Sequence, residues 1–265
     1  MSFPMPKRTR PISLATFFTL ALTSTAAVLA QTPRDGTGLL QRMHDAYIGT
    51  WYSTLTFAQK TTVTRQPGTT NVSTWHESLR YTPATGVQLR IDIGDLAAGN
   101  GMLYTSDSTW VVRGGKLSAA RGSGNEFLPL IEGVYMQPVS RTAAGIERMQ
   151  IDLSRIHAGT WRNRPVWVVG TTSASDTTTP QFWVDQERNV VVRAVIQPNS
   201  TTTMDIALDG YEPVGPAWLA TKITMAVNGR VIQTEEYSDW KTNVALPAAL
   251  FDVASWTSAP HWARK

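Results

Sequence analysis

The chain has 265 residues, with 24 Lys and Arg against 20 Asp and Glu, a formal charge of +4 and no Cys. The missing Cys excludes disulfide staples, a thiol nucleophile and lipidation on a cysteine. Beyond the first ten residues there is no long Lys/Arg run, so the electrostatic footprint of a nucleic-acid binder is also missing.

Residues 1–30 read as a signal peptide. Lys7, Arg8 and Arg10 precede an apolar run from Ile12 to Leu29, and Val28-Leu29-Ala30 offers small residues at a cleavage site before Gln31. The run is diluted by Ser and Thr, and no later segment approaches the ~20 apolar residues of a spanning helix. The expectation is export, removal of 1–30, and a soluble mature chain, 31–265, forming a single domain. The segment holds three basic and no acidic residues, so its loss removes three of the four net positive charges and leaves +1.

Gly36 to Thr50 is a helix candidate, with Leu39, Leu40, Met43 and Tyr47 on one stripe. Ser53 to Val63 alternates as a strand, and its face carries Leu55, Phe57 and Val63 interrupted by Gln59 and Thr61. Val72 to Tyr81 and Val87 to Ile93 follow as strands around a Pro83-to-Gly86 turn, the latter with Val87, Leu89, Ile91 and Ile93 on one face. Short strands at Met102 to Thr105, Thr109 to Arg113 and Lys116 to Ala119 come next, the last two linked by Gly114-Gly115. Helical spacing then returns over Glu126 to Met136 and Thr142 to Met149. Strands resume at Val166 to Val169, Gln181 to Asp185 and Val190 to Ile196. The first and last of these are apolar on both faces, which predicts central strands covered on both sides. The runs Thr171 to Thr179 and Ser200 to Thr203 read as loop and strand-edge composition. Asn228-Gly229 marks a hairpin of Leu219 to Val227 with Arg230 to Tyr237, and a regular register sets Met225 opposite Ile232 and Lys222 opposite Glu235. Leu246 to Phe251 adds a last short turn.

These elements predict an α+β protein, mainly antiparallel β. It is a single sheet of about ten strands with a leading helix and a helical insertion, and accumulated twist obliges such a sheet to curl. A curled sheet has an inside, and the 10 Trp spread along the mature chain supply large apolar surface for it.

Catalytic and metal motifs are missing. The four His (His44, His76, His157, His261) show no metal-ligand spacing. His44-Asp45 are adjacent on a helix and point apart, and Gly122-Ser123-Gly124 lacks the context of a phosphate cradle. Asp92, Asp95, Glu235 and Glu236 form an acid/base pair only if the fold gathers them. The expectation is a non-enzyme without metal or cofactor.

The segments "LTFAQKT", "LRYTP", "TSDSTWVV", "FLPLIEG", "QFWVDQERNVVVRAVI" and "ALFDVASW" stand in an order and spacing that resembles the periplasmic lipoprotein carrier LolA and its relatives. The resemblance implies a strongly curved, incomplete antiparallel barrel whose apolar hollow is lidded by helices. It implies that Leu55, Phe57, Leu79, Leu89, Ile91 and Trp110 line the hollow, with Gln59 toward its mouth, and that Phe127, Leu130 and Ile131 belong to the lid. It also implies a monomeric periplasmic carrier of lipid or acylated lipoprotein, served by an inner-membrane donor and an outer-membrane acceptor. Thr82 stands before Pro83 where the family's carrier has a lid-bonding Arg, which implies a different gate. An envelope sensor or interaction module of the same fold, and a hydrolase, are the alternative readings.

Overall fold

The structure, a computed structural model, describes Met1 and residues 32–66, 68–173 and 175–264. The expected signal peptide lies outside the described residues apart from Met1. From Pro33 onward the chain forms one unit.

Helix α1 (Gly36–Tyr47) starts where the Asp35 carboxylate accepts from the Gly38 N–H at 2.7 Å, and it buries the expected stripe of Leu39, Leu40, Met43 and Tyr47. A Cβ on Gly36 would meet Val169 at 2.7 Å, so glycine sets how closely α1 docks on the sheet. Six strands follow: β1 (Thr54–Gln66), β2 (Thr69–Thr82), β3 (Gly86–Ile93), β4 (Gly101–Tyr104), β5 (Thr109–Arg113) and β6 (Lys116–Arg121). Next come α2 (Leu128–Ile131) and α3 (Val139–Arg148), with a 3₁₀ turn, Gly133–Tyr135, between them. The remaining strands are β7 (Ile156–Trp161), β8 (Arg164–Val169), β9 (Gln181–Asp185), β10 (Val191–Asn199), β11 (Thr202–Asp209), β12 (Glu212–Val214), β13 (Ala217–Leu219), β14 (Lys222–Val227) and β15 (Arg230–Thr242).

Thirteen of these strands form one antiparallel sheet in the order β6-β5-β4-β3-β2-β1-β15-β14-β11-β10-β9-β8-β7, and β12 and β13 pair separately. It does not close, because β6 and β7 are both edges. Those edges are also the two ends of the helical insertion. A chain that leaves β6 and re-enters at β7 must travel from one rim of the curved sheet to the other, and α2 and α3 lie on that route. The insertion crosses the inner face, where Leu128, Leu130 and Val134 share the core with Leu55, Leu79 and Leu89.

Several expectations change. Two further strands are present: Thr202–Asp209, whose start is concealed by its Thr run, and Ile156–Trp161, whose alternation is broken at Ala158-Gly159. Helical spacing over 126–136 yields only one α-turn and one 3₁₀ turn, since Pro129 and Gly133 interrupt it. The two-sided strands β8 and β10 are not central. They lie toward the β7 rim, where Val166, Val168, Trp183 and Val192 pack on the outer face under Trp161.

The Asn228-Gly229 turn forms with both residues at positive φ, 47° and 78°, and Val227 does face Arg230. A bulge in β15, opposite the Met225-Ala226 step, then shifts the ladder by one. Met225 faces Gln233, and Lys222 faces Glu236 in place of Glu235. In a ladder of period two, that single step decides which carboxylate Lys222 faces.

Candidate ligand cavity under the lid

Strands β1, β2 and β15 sit at the middle of the sheet and set the floor of the hollow. Leu55 pairs with Leu79, Phe57 with Glu77 and Gln59 with Trp75, while Thr61 faces Glu235 across the β1–β15 ladder. Since opposite residues share a face, the floor runs from apolar to polar along its strands. Over it lie Leu128, Ile131, Glu132 and Tyr135 of the insertion, with Trp51 at the end of the turn after α1. Tyr211 and Trp218 flank one side. Together these groups enclose a cavity of about 70 Å³. That is room for a few water-sized groups only. Most of the hollow is occupied by the protein's own side chains, among them Leu130, Val134 and Ile146, each 0% exposed.

Leu55, Phe57, Leu79, Leu89 and, from the lid, Ile131 border the cavity. Ile91 joins the same core without bordering it, Leu130 is buried against that core, and Phe127 packs half-buried at its edge. Trp110 is elsewhere. It pairs opposite Leu103 on the outer face and packs with Leu250, Phe251 and Trp256 of the C-terminal segment, because residue 110 falls in the other phase of the strand alternation. Gln59 is in the wall at 1% exposure and not at a mouth. Its amide donates to Thr61 Oγ1 at 2.8 Å, while Oε1 is buried without a partner.

The polar chemistry of the hollow lies in carboxylates and aromatics, of which the sequence reading singled out only Glu235. Glu132, at the C-terminal end of α2, accepts from Trp51 Nε1 at 3.2 Å and from the Tyr52 hydroxyl at 3.0 Å. Burial pushes its carboxyl up to about 7, with those two donors pulling the other way. Glu235 accepts from Gln233 at 2.6 Å and from Tyr237 at 2.9 Å, and burial raises it too. Glu77, 4% exposed, borders the cavity and accepts no hydrogen bond among the described residues. Burial, then the nearby Glu235, push it well above the usual carboxylate range. Trp51 stacks on Tyr135 at 3.8 Å between ring centroids, tying the chain after α1 to the lid. A carboxylate at every-second-residue spacing in Trp75-x-Glu77-x-Leu79 was a signal for Glu77; no comparable pattern marks Glu132.

The other candidates are dispersed. His44 Nδ1 lies 3.0 Å from the Val134 carbonyl, and Asp45 accepts from Gln41. Asp95 caps a 3₁₀ turn at the Ala97 N–H. Asp92 is on the outer face, bonded to Arg90 at 2.7 Å and to His261 at 3.1 Å under the C-terminal segment. Asp92 and Glu235 are thus on opposite faces of the sheet and cannot act as a pair. Glu236 turns outward to Lys60 at 2.9 Å. Thr82 bonds within its own turn to Thr85, and the insertion is bonded instead by Trp51 and Tyr52 at Glu132 and by His44 at the Val134 carbonyl. Among the described residues no group of three or more His, Asp or Glu could hold a metal ion, and no helix is long and apolar enough to cross a membrane.

Neither a protein-family model nor a curated protein sequence matches this chain. Solved structures do. A domain assigned to an outer-membrane lipoprotein-sorting protein from Vibrio parahaemolyticus superposes with a TM-score of 0.58 at 10% identity, over 84% of this chain and 98% of that one. A DUF1329 family protein from Desulfovibrio piger gives 0.55 at 14% identity, over 82% and 95%. A LolA superfamily protein from Nitrosomonas europaea gives 0.46 at 13%, over 82% and 97%. The chain shares the fold of the lipoprotein-sorting domain and of the DUF1329 protein, and at these identities the likeness is one of fold alone.

Proposed function

We propose that this protein is an exported, periplasmic, monomeric binder of lipid or of lipoprotein acyl chains, a single domain after removal of residues 1–30, which holds its cargo non-covalently between the curved sheet and α2. The observation that carries the reading is the cavity itself: apolar on the sheet side through Leu55, Phe57, Leu79 and Leu89, and roofed by one short α-turn rather than by a second sheet. The lipoprotein-sorting neighbour supports it at the level of fold.

The cavity as it stands is too small for an acyl chain, so binding requires the lid to give way. Each methylene taken from water is worth ~0.8 kcal/mol, on the order of 10 kcal/mol for a long chain. Ordering costs of ~4–15 kcal/mol oppose it. The cargo must also replace the contacts that Leu128, Ile131 and Tyr135 now make with the floor. Near balance of these terms suits an agent that takes up and releases, with donor and acceptor proteins at the two membranes. Solvent extraction of the purified protein followed by mass spectrometry, together with uptake of a fluorescent fatty acid, tests the reading. Acyl species or saturable uptake are expected; repeated absence of both overturns it.

The same small volume favours a second reading, an envelope interaction module whose hollow is filled by its own helices. It predicts capture of a protein partner with no lipid. Turnover of acyl esters would establish the hydrolase reading instead.

A further inference from the structure

We propose that the cavity selects amphiphiles carrying a protonated amine, with the Glu77 carboxylate as the group that receives the ammonium. The inference rests on the reading above that the cavity takes an apolar chain, and it names the chemistry of the head that enters with that chain.

Buried carboxylates elsewhere in this fold are matched by arginine. Asp92 has Arg90 on the outer face, and Asp185 has Arg164 near the β7 rim. The three carboxylates of the hollow differ: among the described residues Glu77, Glu132 and Glu235 have no cationic partner. Two of them are satisfied by neutral donors, Glu132 by Trp51 and Tyr52, and Glu235 by Gln233 and Tyr237. Glu77 alone has neither cation nor donor, although it is 4% exposed and borders the cavity. A buried carboxyl group without a partner is costly, and a group that needs a donor while facing a void specifies what the void should receive.

The surroundings fit an ammonium on an aliphatic chain. Phe57, Leu79 and Leu89 flank Glu77 along the floor and supply apolar contact for the carbons next to the nitrogen. Glu235 is the charged group that acts on Glu77, Tyr237 and Tyr104 lie within reach of both carboxyls, Arg121 also acts on Tyr104, and Glu132 borders the same cavity. Among the described residues no Lys or Arg borders the cavity to receive an anionic head. Burial and then the neighbouring Glu235 favour the proton-bound form of the Glu77 carboxyl. Binding an alkylammonium therefore forms one ion pair and releases that proton to solvent, which balances charge in the cavity.

The experiment is a titration calorimetry series with the full mature chain near neutral pH, using dodecylamine, dodecanol and laurate below their micelle concentrations. Dodecylamine is expected to bind at least about tenfold more tightly than dodecanol, with laurate weakest, and its apparent enthalpy should change with buffer ionisation heat as a proton is released. Glu77→Gln should bring the amine down to the level of the alcohol, and a cooperative thermal melt of the variant shows that it is folded. Equal affinity for amine and alcohol in the wild type, or an amine preference that survives in Glu77→Gln, overturns the inference and leaves acyl binding standing. Failure of all three ligands to bind overturns both.

Discussion

Glu132 gives the helical insertion a titratable carboxyl bonded to Trp51 and Tyr52. Its carboxyl titrates near 7 in the folded protein and near the ordinary ~4.3 once unfolded. Between those values the folded state holds a proton that the unfolded state has lost, so stability falls as pH rises through the window, by up to about 3 kcal/mol. Glu77 and Glu235 are displaced in the same direction and steepen the loss. Thermal melts near about pH 5 and about pH 8 should show the wild type losing more stability on the basic side than Glu132→Gln, which keeps an acceptor for Trp51 and Tyr52 without the charge; equal slopes would remove Glu132 from the account. Asp92 behaves oppositely. It is held below the ordinary range because the bonds from His261 and Arg90 outweigh its burial. Asp92→Asn leaves the Arg90 guanidinium, 1% exposed, without its counter-charge, and a loss of about 3–5 kcal/mol by chemical denaturation is expected.

At the scale of elements, alternation and turn chemistry made most strands legible, and Leu55, Phe57, Leu79 and Leu89 could be placed on one face because each lies in a long run of period two. What was not legible arose where one element answers to another. The bulge in β15, where Ile232 is the extra residue opposite the Met225-Ala226 step, changes which carboxylate faces β14, and nothing local in Val231-Ile232-Gln233 announces it. Trp110 was placed in the hollow by the family resemblance, whereas its pairing with Leu103 puts it beneath the C-terminal segment. That segment also explains why Gln88, Arg90 and Asp92, which read as the wet face of β3, are buried. The lid was the hardest element to read, since a single α-turn has no periodicity to display and gains its stability from docking. Leu130 is the clearest anchor of that docking, fully buried against the core. Leu130→Ala should cost about 2–5 kcal/mol and, by loosening α2, raise the rate at which a fluorescent fatty acid enters; unchanged entry with lowered stability would mean that α2 is not the gate.

For the whole molecule, the sheet presents two faces with separate coverings, joined only through the strands themselves. The C-terminal segment seals the outer face of β3 to β5 with Leu250, Phe251 and Trp256 and clamps Arg90 through the carbonyls of Leu250 and Trp256, at 2.9 and 2.8 Å. The insertion covers the inner face by running from rim to rim. The outer covering is bonded to a buried ion pair, while the inner one rests on apolar contact and on a carboxyl that loses its proton near neutrality. The two coverings should therefore differ in how readily they lift. Hydrogen exchange, corrected for the intrinsic pH dependence of amide chemistry, is expected to show residues 128–135 losing protection as pH rises through about 7, while residues 250–259 and the paired amides of β1, β2 and β15 hold theirs. Glu132→Gln should abolish the pH dependence at the lid and leave the other segments unchanged. If protection falls over the lid and the outer segment together, the faces are coupled through the sheet, and opening is a motion of the whole barrel rather than of its roof.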